Sequence, residues 1–502
     1  MKAFLMYRDR DFDLQQQLPW NEEALVQDLE LETLFNAMSL GDKFLFEVAK
    51  TAVIGGVNND PETIRYRQSI LKDCLKNSSI VRDIYQIPIE AINNKKKHWY
   101  SIFSSSPSAV LSNSTDMMRM FVGLLRKLRN IADENADKFK SEGFSRFFAM
   151  IHKELEDEYI ADIQDHLREL KFRDGVLISA ELGEGNEGTD YMLRKSMETK
   201  KRWIKRILGK KAPVYTFSIH PRDEAGARAL SELRTKGINL AANALGQSAD
   251  HIDNFFKMLQ LDLAFYIGCL NLYERLDQLG EPISFPQPAM LDERRHFFHG
   301  LYDVCLALTM KQKVVGNDLN AEDKDLVIIT GANQGGKSTF LRSIGLAQLM
   351  MQCGMFVPAE SFCSNICDGL FTHYKREEDA SMESGKLDEE LGRMSLIADD
   401  IKENSLLLFN ESFSATNERE GSEIARQITR ALVQKRIKVF FVTHLYEFAH
   451  GLYEKNTGNA IFLRAERKID GSRTFKVVEG APLETSYGED LYRALWFDND
   501  TS

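Results

Sequence analysis

The clearest chemical signature in this sequence is a glycine-rich run that ends in a lysine and a serine. Residues 331–338 have the sequence Gly-Ala-Asn-Gln-Gly-Gly-Lys-Ser, between an apolar segment (326–330) and an amphipathic one (339–351). Glycines let backbone N–H groups close around phosphate oxygens, and the positive end of a following helix strengthens that attraction. The pattern GxxxxGK[ST] between a strand and a helix therefore predicts a nucleotide-phosphate site.

Individual residues of this loop have distinct predicted roles. Lys337 is expected to reach the β- and γ-phosphates, and the Ser338 hydroxyl is expected to bind Mg²⁺. The residues predicted to bind the nucleotide are Gly331, Ala332, Asn333, Gln334, Gly335, Gly336, Lys337, Ser338 and Thr339.

A second apolar segment, 406–409, ends in Asn410 and Glu411. Phosphate-loop ATPases usually carry Asp and then Glu here; the Asp holds Mg²⁺, often through water, and the Glu orients or deprotonates the attacking water. The Asn410 amide oxygen accepts a hydrogen bond from metal-bound water but brings no charge. We therefore expect ATP and Mg²⁺ as ligands, slow hydrolysis, catalytic roles for Lys337 and Glu411, and a Mg²⁺ site at Ser338 and Asn410.

Two further features follow Glu411 in the chain. A polar segment (412–421) leads into a helical one, whose N-terminus offers N–H groups to an anion. An ordinary helix cap explains that segment equally well when it is taken alone. His444 follows the apolar segment 439–442, and this place in the series predicts a catalytic sensor of the γ-phosphate.

The first half of the chain is predicted to be mainly helical. Apolar residues at helical spacing fill residues 1–110, and Asp60-Pro61 predicts a helix start, whereas 104–116 predicts a loop. Two apolar stripes follow, at 148–170 and 252–273. They predict two long helices packed at coiled-coil-like angles, although ordinary core helices explain each stripe alone.

A basic segment lies between the two stripes. Residues 175–182 and 213–220 are typical of strands, and they flank 191–211, which is rich in lysine and arginine. The pattern predicts a small positive lobe at about 175–220; a solvated charged face is the alternative. Pro282, Pro286 and Pro288 then predict a linker.

From about residue 301, short apolar segments alternate with helical ones, which predicts an α/β domain with a mainly parallel sheet. The expected organisation is a helical core at 1–115, long helices with the basic lobe at 116–300, and the nucleotide-binding domain at 301–502.

Composition limits the classes of function. A net charge of −11 argues against non-specific coating of DNA but leaves room for a local basic contact. The N-terminus lacks the features of a secretory signal, and no apolar run is long enough to suggest a membrane span. Six scattered cysteines suit a reducing compartment, so a cytoplasmic location without a membrane partner is expected.

Several of these segments resemble the MutS family. The segment VIITGANQGGKSTFLRSIGLAQLMMQCGMFVPAE is similar to that family's phosphate loop and following helix. NESFSATNEREGSEIA resembles its signature segment, VTH resembles its ATH, and KVVEGAPLETSYGEDL resembles its segment ending in SYG, here Ser486, Tyr487 and Gly488. Helical segments such as TIRYRQSILKDCL resemble the family's core region.

The resemblance implies an architecture and partners. The fold class is an α/β P-loop NTPase (ABC-type ATPase) domain at the C-terminus, preceded by a mainly α-helical core and lever region with a small two-stranded clamp-like lobe. It implies a homodimer, or a heterodimer with a related subunit, that closes around DNA with ATP held between subunits. Ser414, Thr416 and Asn417 would then reach the partner's nucleotide. The implied DNA contacts are Arg194, Lys195, Lys200, Lys201, Arg202, Lys205, Arg206, Lys210 and Lys211.

The sequence also departs from the family pattern. It begins with core-like helices and has no N-terminal segment with the Phe-x-Glu wedge of mismatch sensors, so direct mismatch recognition by base intercalation is not expected. Phe413 and Ala415 stand where the signature segment usually has glycines, and Asn417 often aligns with Ser.

The leading interpretation is a shortened MutS-type, DNA-binding ATPase. ATP binding and hydrolysis would open and close a clamp on duplex, mismatched or branched DNA, in DNA mismatch repair or related DNA processing. A mismatch-repair component that borrows mismatch recognition from a partner is a close alternative. An ATP-gated protein-interaction switch that does not bind DNA is the alternative from another class, and the acidic net charge favours it slightly.

Overall fold

The computed structural model describes residues 1–99, 106–172, 175–195, 218–376, 385–455, 458–468 and 472–483. The chain divides into two compact units that are discontinuous in sequence. The first unit comprises Met1–Ala3, Ser79–Phe139 and Phe144–Gln260, and the second comprises Phe4–Ser78, Lys140–Gly143 and Leu261–Ser502. The three-part division at 1–115, 116–300 and 301–502 stays a prediction.

The helices and strands of the described part of the chain are numbered separately, each in chain order. The helices are α1 (Glu22–Asp28), α2 (Leu31–Ser39), α3 (Lys43–Gly55), α4 (Pro61–Lys76), α5 (Ser78–Trp99), α6 (Pro107–Asn135), α7 (Glu142–Glu154), α8 (Asp157–Glu169), α9 (Glu224–Gln278), α10 (Val304–Met310), α11 (Lys337–Gln352), α12 (Lys386–Asp400), α13 (Glu418–Gln434) and α14 (Tyr446–Lys455). The strands are β1 (Leu177–Leu182), β2 (Gly188–Arg194), β3 (Gln287–Ala289), β4 (His296–Leu301), β5 (Asn317–Asn320), β6 (Leu326–Thr330), β7 (Ser361–Asn365), β8 (Leu370–Tyr374), β9 (Leu406–Asn410), β10 (Lys438–Val442), β11 (Ala460–Arg467) and β12 (Arg473–Glu479).

The start of α4 confirms the helix signal at Asp60-Pro61. The Asp60 carboxylate accepts hydrogen bonds from the backbone N–H groups of Glu62 (2.8 Å) and Thr63 (2.9 Å). Pro61 occupies the first turn, where a missing N–H costs nothing. The side chain thus satisfies helix donors that would otherwise lack partners.

The loop predicted at 104–116 is wrong for the residues that the structure describes. Helix α6 begins at Pro107, and the Ser106 hydroxyl accepts a hydrogen bond from the Ala109 N–H (3.3 Å). The Ser-Pro pair is therefore a helix start rather than a loop signal. Thr115 is buried inside the helix, where its hydroxyl donates to the Leu111 carbonyl (2.6 Å), so its polarity does not require a turn.

The stripe at 148–170 belongs to two helices, so the single long helix predicted there is wrong. Helix α7 ends at Glu154, and Glu156 has extended backbone angles (φ −62°, ψ 143°) before α8 begins. Asp157 and Glu158 lie in the first turn of α8, where the positive helix end stabilises acidic side chains. The acidic pair Asp157 and Glu158, within the apolar stripe at 148–170, is therefore the sequence signal for the start of α8.

The second stripe is confirmed by α9, a helix of 55 residues. Phe255, Leu259, Leu263, Tyr266 and Leu270 are all buried. One 18-residue window of α9 is long and apolar enough to span a membrane, with a mean hydropathy of 1.2. That window is 83% buried within the protein, as expected of a core helix. The helix contributes residues to both compact units.

The lobe of the first unit contains a hairpin, but its second strand differs from the predicted one. Strand β1 pairs antiparallel with β2, and Leu177 lies opposite Arg194. Gly185 supplies a positive φ of 71° in the connection between the strands. The prediction that 213–220 is a strand is wrong for residues 218–220, and residues 213–217 lie outside the described residues.

The part of the chain after residue 301 contains the predicted mainly parallel sheet. Its strand order is β12-β11-β6-β10-β9-β8, and every pairing is parallel except that of β11 with β12. Alternating residues of the strands, such as Leu407 and Phe409, pack with Met394, Ile397 and Phe448 from the helices in one core. Parallel strands place their carboxyl ends along one edge, and the loops at that edge carry the site described below.

Of the three prolines at 282–288, Pro288 lies in a strand of a second sheet, so the predicted linker is wrong there. This sheet has the order β3-β7-β4-β5, and Pro288 lies in β3 at its edge. An edge strand tolerates proline because one row of its N–H groups needs no strand partner. The Gln68 side chain donates to the Pro286 carbonyl (3.1 Å), and Arg65 donates to the Pro288 carbonyl (3.2 Å).

Candidate functional site

The predicted phosphate loop, residues 331–336, connects a buried central strand to a helix. Strand β6 lies between β10 and β11 and is fully buried, and α11 begins at Lys337. The loop reverses direction through positive φ angles at Gly331 (113°), Gln334 (59°) and Gly336 (88°). The strand–loop–helix context that the sequence predicted is therefore present.

Close packing requires glycine at two positions of the loop, and at Gly331 the positive φ requires it as well. A Cβ atom at Gly331 would lie 3.0 Å from the backbone nitrogen of Ala465 in β11. A Cβ atom at Gly335 would lie 2.9 Å from the Ala332 carbonyl oxygen and 2.9 Å from the Ala465 side chain. Any other residue would push the loop away from β11 and open the curvature that gathers its N–H groups.

Lys337 is held inside this loop. Its Nζ donates to the carbonyl oxygens of Gly331 and Ala332, both at 2.9 Å, and the residue is only 4% exposed. Burial lowers the pKa of the Lys337 ammonium, while the carboxylate of Glu411 opposes that shift. A buried cation in a loop at a helix N-terminus favours an anion, and phosphate groups suit it.

Ser338 and Asn410 meet across the mouth of the loop. The Ser338 hydroxyl donates to the Asn410 Oδ1 at 2.9 Å, and Asn410 ends β9. The sequence predicted both residues as the Mg²⁺ site, and the structure brings them together. A hydroxyl and an amide oxygen are hard donors that suit Mg²⁺ or its bound water, so the residues present fit this ion.

Glu411 and His444 lie side by side at the same edge of the sheet. Glu411 follows β9 with a positive φ of 55°, and its N–H donates to the Val442 carbonyl (2.9 Å). The Glu411 carboxylate lies 4.0 Å from Nδ1 of His444, two residues beyond β10. Both side chains are partly exposed, at 29% and 39%, so solvent and a ligand can reach them.

A buried polar network that the sequence did not reveal holds the turn after Glu411. The Phe413 N–H donates to the Glu390 carboxylate (2.9 Å), and Phe413 has a positive φ of 61°. The Ser412 hydroxyl donates to the His373 carbonyl (2.6 Å) and lies 2.7 Å from Nδ1 of His373.

The imidazole of His373 completes the network. Its Nε2 lies 2.9 Å from the Glu390 carbonyl, and burial lowers the pKa of His373 to about 4. The ring is therefore neutral at physiological pH, and it links β8, α12 and the turn. No local sequence pattern marks these residues, because they lie far apart in the chain.

The signature segment forms the N-terminus of α13. Asn417 caps this helix by accepting a hydrogen bond from the Glu420 N–H (3.0 Å), and Ser414 donates to the Glu411 carbonyl (2.8 Å). The Thr416 hydroxyl donates to the Glu420 carboxylate. Their predicted action on a partner's nucleotide stays a prediction.

A cavity of about 510 Å³ lies against the phosphate loop. Lys337, Ser338 and Glu411 line it together with an apolar group of residues, here called the base wall. The base wall consists of Met310, Val314, Val315 and Phe475.

Phe475 was not predicted from the sequence. It lies in β12 with a positive φ of 57° and is 49% exposed. An exposed aromatic side chain beside a phosphate loop offers a stacking surface to a ring. Its neighbour Arg473 donates to Oε1 of Gln334 in the loop (2.8 Å).

Few of the predicted DNA contacts fall within the described residues. Arg194 ends β2 and donates to the Ser179 hydroxyl (2.8 Å), and Lys195 pairs with Glu169 (3.0 Å). The following predicted residues lie outside the described part of the chain: Lys200, Lys201, Arg202, Lys205, Arg206, Lys210, Lys211, Ser486, Tyr487 and Gly488.

Two family models match the chain, and they agree with the phosphate loop and the helical region. The MutS2 N-terminal domain matches residues 59–279, and MutS domain V matches residues 327–495. The C-terminal part therefore carries the ATPase domain of MutS proteins. Together with MutS-named relatives, these matches place the chain in the MutS family.

Individual relatives resemble only part of this chain. The DNA mismatch repair protein MutS of Thermotoga sp. (strain RQ2) is 33% identical over 209 residues, which is 41% of this chain and 26% of the relative. The protein of the same name from Thermus aquaticus is 30% identical over 223 residues, 44% of this chain and 26% of the relative. MutS protein homolog 4 of Homo sapiens is 26% identical over 282 residues, 53% and 28% respectively. The matched region of this chain thus spans about a quarter of these relatives.

Replacement of Glu390 tests the buried network. Glu390→Ala leaves the Phe413 N–H without its acceptor, and we expect the free energy of unfolding to fall by about 1–3 kcal/mol. Urea denaturation measures this loss. Glu389→Ala is the matched control. Glu389 is more exposed than Glu390, and its carboxylate makes a loose ion pair with Arg393 at 3.6 Å. We therefore expect this variant to lose less than about 1 kcal/mol of the free energy of unfolding. Equal losses in both variants would contradict the assigned role.

Proposed function

We propose that this protein is a DNA-binding ATPase of MutS type that acts in DNA mismatch repair or related DNA processing. The observation that carries the proposal is the buried Lys337 within the phosphate loop, with Ser338, Asn410, Glu411 and His444 at the same sheet edge. Such an arrangement serves binding and hydrolysis of a nucleoside triphosphate. MutS family membership supports the assignment to DNA metabolism.

The phosphates of ATP are bound by the loop. The Lys337 ammonium exchanges two carbonyl contacts for phosphate oxygens, and the N–H groups at the start of α11 add further donors. The oxygens of Ser338 and Asn410 would hold Mg²⁺ or its bound water, and the ion would neutralise phosphate charge. The base wall receives the adenine, with Phe475 as the aromatic surface.

Glu411 orients and activates the attacking water. Its carboxylate is partly exposed at the cavity, and the buried network around Glu390 fixes the turn that carries it. His444, beside this carboxylate, senses the γ-phosphate by donating a hydrogen bond to it. Because Asn410 supplies no negative charge, Mg²⁺ binding is weak and hydrolysis is slow.

DNA is the second proposed ligand. The segment from Arg194 to Lys211 has an excess of lysine and arginine in a chain of net charge −11. Phosphate contacts from this segment make DNA affinity depend strongly on salt. In the proposed dimer, the signature segment completes the partner's nucleotide site, and ATP turnover opens and closes a clamp in the cytoplasm. An ATP-gated switch for a protein partner is the competing function that the DNA-binding experiment tests.

Restoring the usual acid at position 410 tests the ATPase proposal. We expect Asn410→Asp to raise kcat or to lower the Mg²⁺ concentration that gives half-maximal turnover, because a carboxylate attracts the cation more strongly. Steady-state phosphate release at varied Mg²⁺ measures both quantities. Asn320→Asp adds the same charge at an exposed position at the end of β5 and should change neither. An unchanged kcat and Mg²⁺ dependence in Asn410→Asp would defeat the idea.

Charge reversal tests DNA binding. Replacing Lys201, Arg202, Lys205 and Arg206 with Glu should weaken binding by about tenfold or more and flatten its salt dependence, because up to four phosphate contacts are lost. Gel shifts with homoduplex, mismatched and branched DNA, with and without ATP, measure this.

The control variant also replaces four basic residues with Glu, in this case four exposed lysines elsewhere in the chain. Its positions are Lys43, Lys96, Lys402 and Lys435. The control should bind DNA more tightly than the first variant. Absence of DNA binding by the unaltered protein, with ATP binding intact, would favour the protein-interaction switch.

A further inference from the structure

We propose that Glu281 is a positioning residue for the nucleotide base, acting through the base wall. This inference rests on the proposed ATP site and extends it to a residue outside the known motifs. Glu281 follows α9, and its carboxylate reaches the loop between α10 and β5 that supplies two residues of the wall. Glu281 thereby contributes to the affinity for the base of the nucleotide and not to the affinity for its phosphates.

Glu281 is fixed at the end of α9. Gly280 takes a positive φ of 67°, and the Glu281 N–H turns back to donate to the Leu276 carbonyl (3.1 Å). This is the hydrogen bond of a glycine-terminated helix end, which satisfies a carbonyl left open by the helix. The residue is 6% exposed, and hydrogen bonds hold both its backbone N–H and its carboxylate.

The carboxylate holds the loop that carries the base wall. Oε1 of Glu281 accepts a hydrogen bond from the Val314 N–H at 2.6 Å. Val314 lies in the irregular segment between α10 and β5, where a regular ladder does not fix the backbone. Val314 and Val315 both line the cavity, so the hydrogen bond sets the position of that side of the wall.

The electrostatics support a strong interaction. Burial raises the pKa of Glu281, while the Val314 N–H and the Lys313 ammonium act in the opposite direction. A hydrogen bond to a charged acceptor is stronger than one between neutral groups. Removing the acceptor would leave a backbone donor with no partner in a half-buried loop, and the loop would shift to reach water.

A second observation on this side of the cavity points to a ligand. Tyr302 lines the cavity and is 2% exposed, and its hydroxyl has no hydrogen-bond partner within the described ranges. Burial raises the pKa of Tyr302, so the hydroxyl stays protonated and is able to donate. A bound nucleotide or its ordered water would satisfy this group.

The test separates the base from the phosphates. The dissociation constants of ATP and of inorganic tripolyphosphate, both with Mg²⁺, are measured by calorimetry for the unaltered protein and for Glu281→Ala, Glu281→Asp and Glu281→Gln. Glu281→Ala and Glu281→Asp withdraw the acceptor from Val314, and ATP affinity should fall about tenfold or more. Tripolyphosphate affinity should stay within about twofold, and Glu281→Gln, which keeps an acceptor oxygen, should retain most of the ATP affinity.

Two control variants distinguish a specific effect of Glu281 from a general effect of losing a carboxylate or of misfolding. Asp277→Ala removes an exposed carboxylate from the last turn of α9 and should alter neither affinity. Glu281→Asp keeps the charge and most of the volume, so it serves if Glu281→Ala does not fold. Equal loss of ATP and tripolyphosphate affinity, or no loss of either, would overturn the inference.

The unaltered protein distinguishes this inference from the proposed function. If it binds neither ATP nor tripolyphosphate, the proposed ATP site itself fails. If it binds both equally tightly, the phosphate site stands and the base wall contributes nothing, which overturns the role of Glu281.

Discussion

The burial of the Lys337 ammonium against the carbonyl groups of its own loop is the interaction on which the site depends. A cation that is 4% exposed and held by two carbonyl oxygens has lost much of its hydration without gaining a full counter-charge. An anion in the loop would supply that charge. The loop can present the cation in this way only because Gly331 and Gly335 pack against Ala465 with no room for a side chain.

The parallel sheet places the other candidate catalytic residues at the same edge as this loop. Strands β6, β9 and β10 end at the same edge, and their loops bring Ser338 to Asn410 and Glu411 to His444. The supporting contacts come from elsewhere in the chain. Glu390 and His373 fix the turn after Glu411, and Glu281 holds the base wall. The motif residues therefore depend on neighbours that carry no motif.

The sequence predicted those parts of the structure that local chemistry determines. The strand–loop–helix context of the glycine pattern, the apolar strands and the helix start at Asp60-Pro61 each depend on a few residues, and the structure contains all three. The break at Glu156 was missed because the apolar spacing continues across it. The roles of Glu390 and Phe475 depend on contacts between residues that are far apart in the chain, and a single sequence does not record such contacts.

The most direct test of the central claim is titration of the protein with ATP and Mg²⁺, comparing the unaltered chain with Lys337→Ala. The account predicts saturable binding by the unaltered protein and a loss of affinity of about a hundredfold or more in the variant, because several charge-assisted hydrogen bonds to phosphate disappear. Circular dichroism should show that the variant stays folded. No binding by the unaltered protein, or equal affinity in both proteins, would contradict the account.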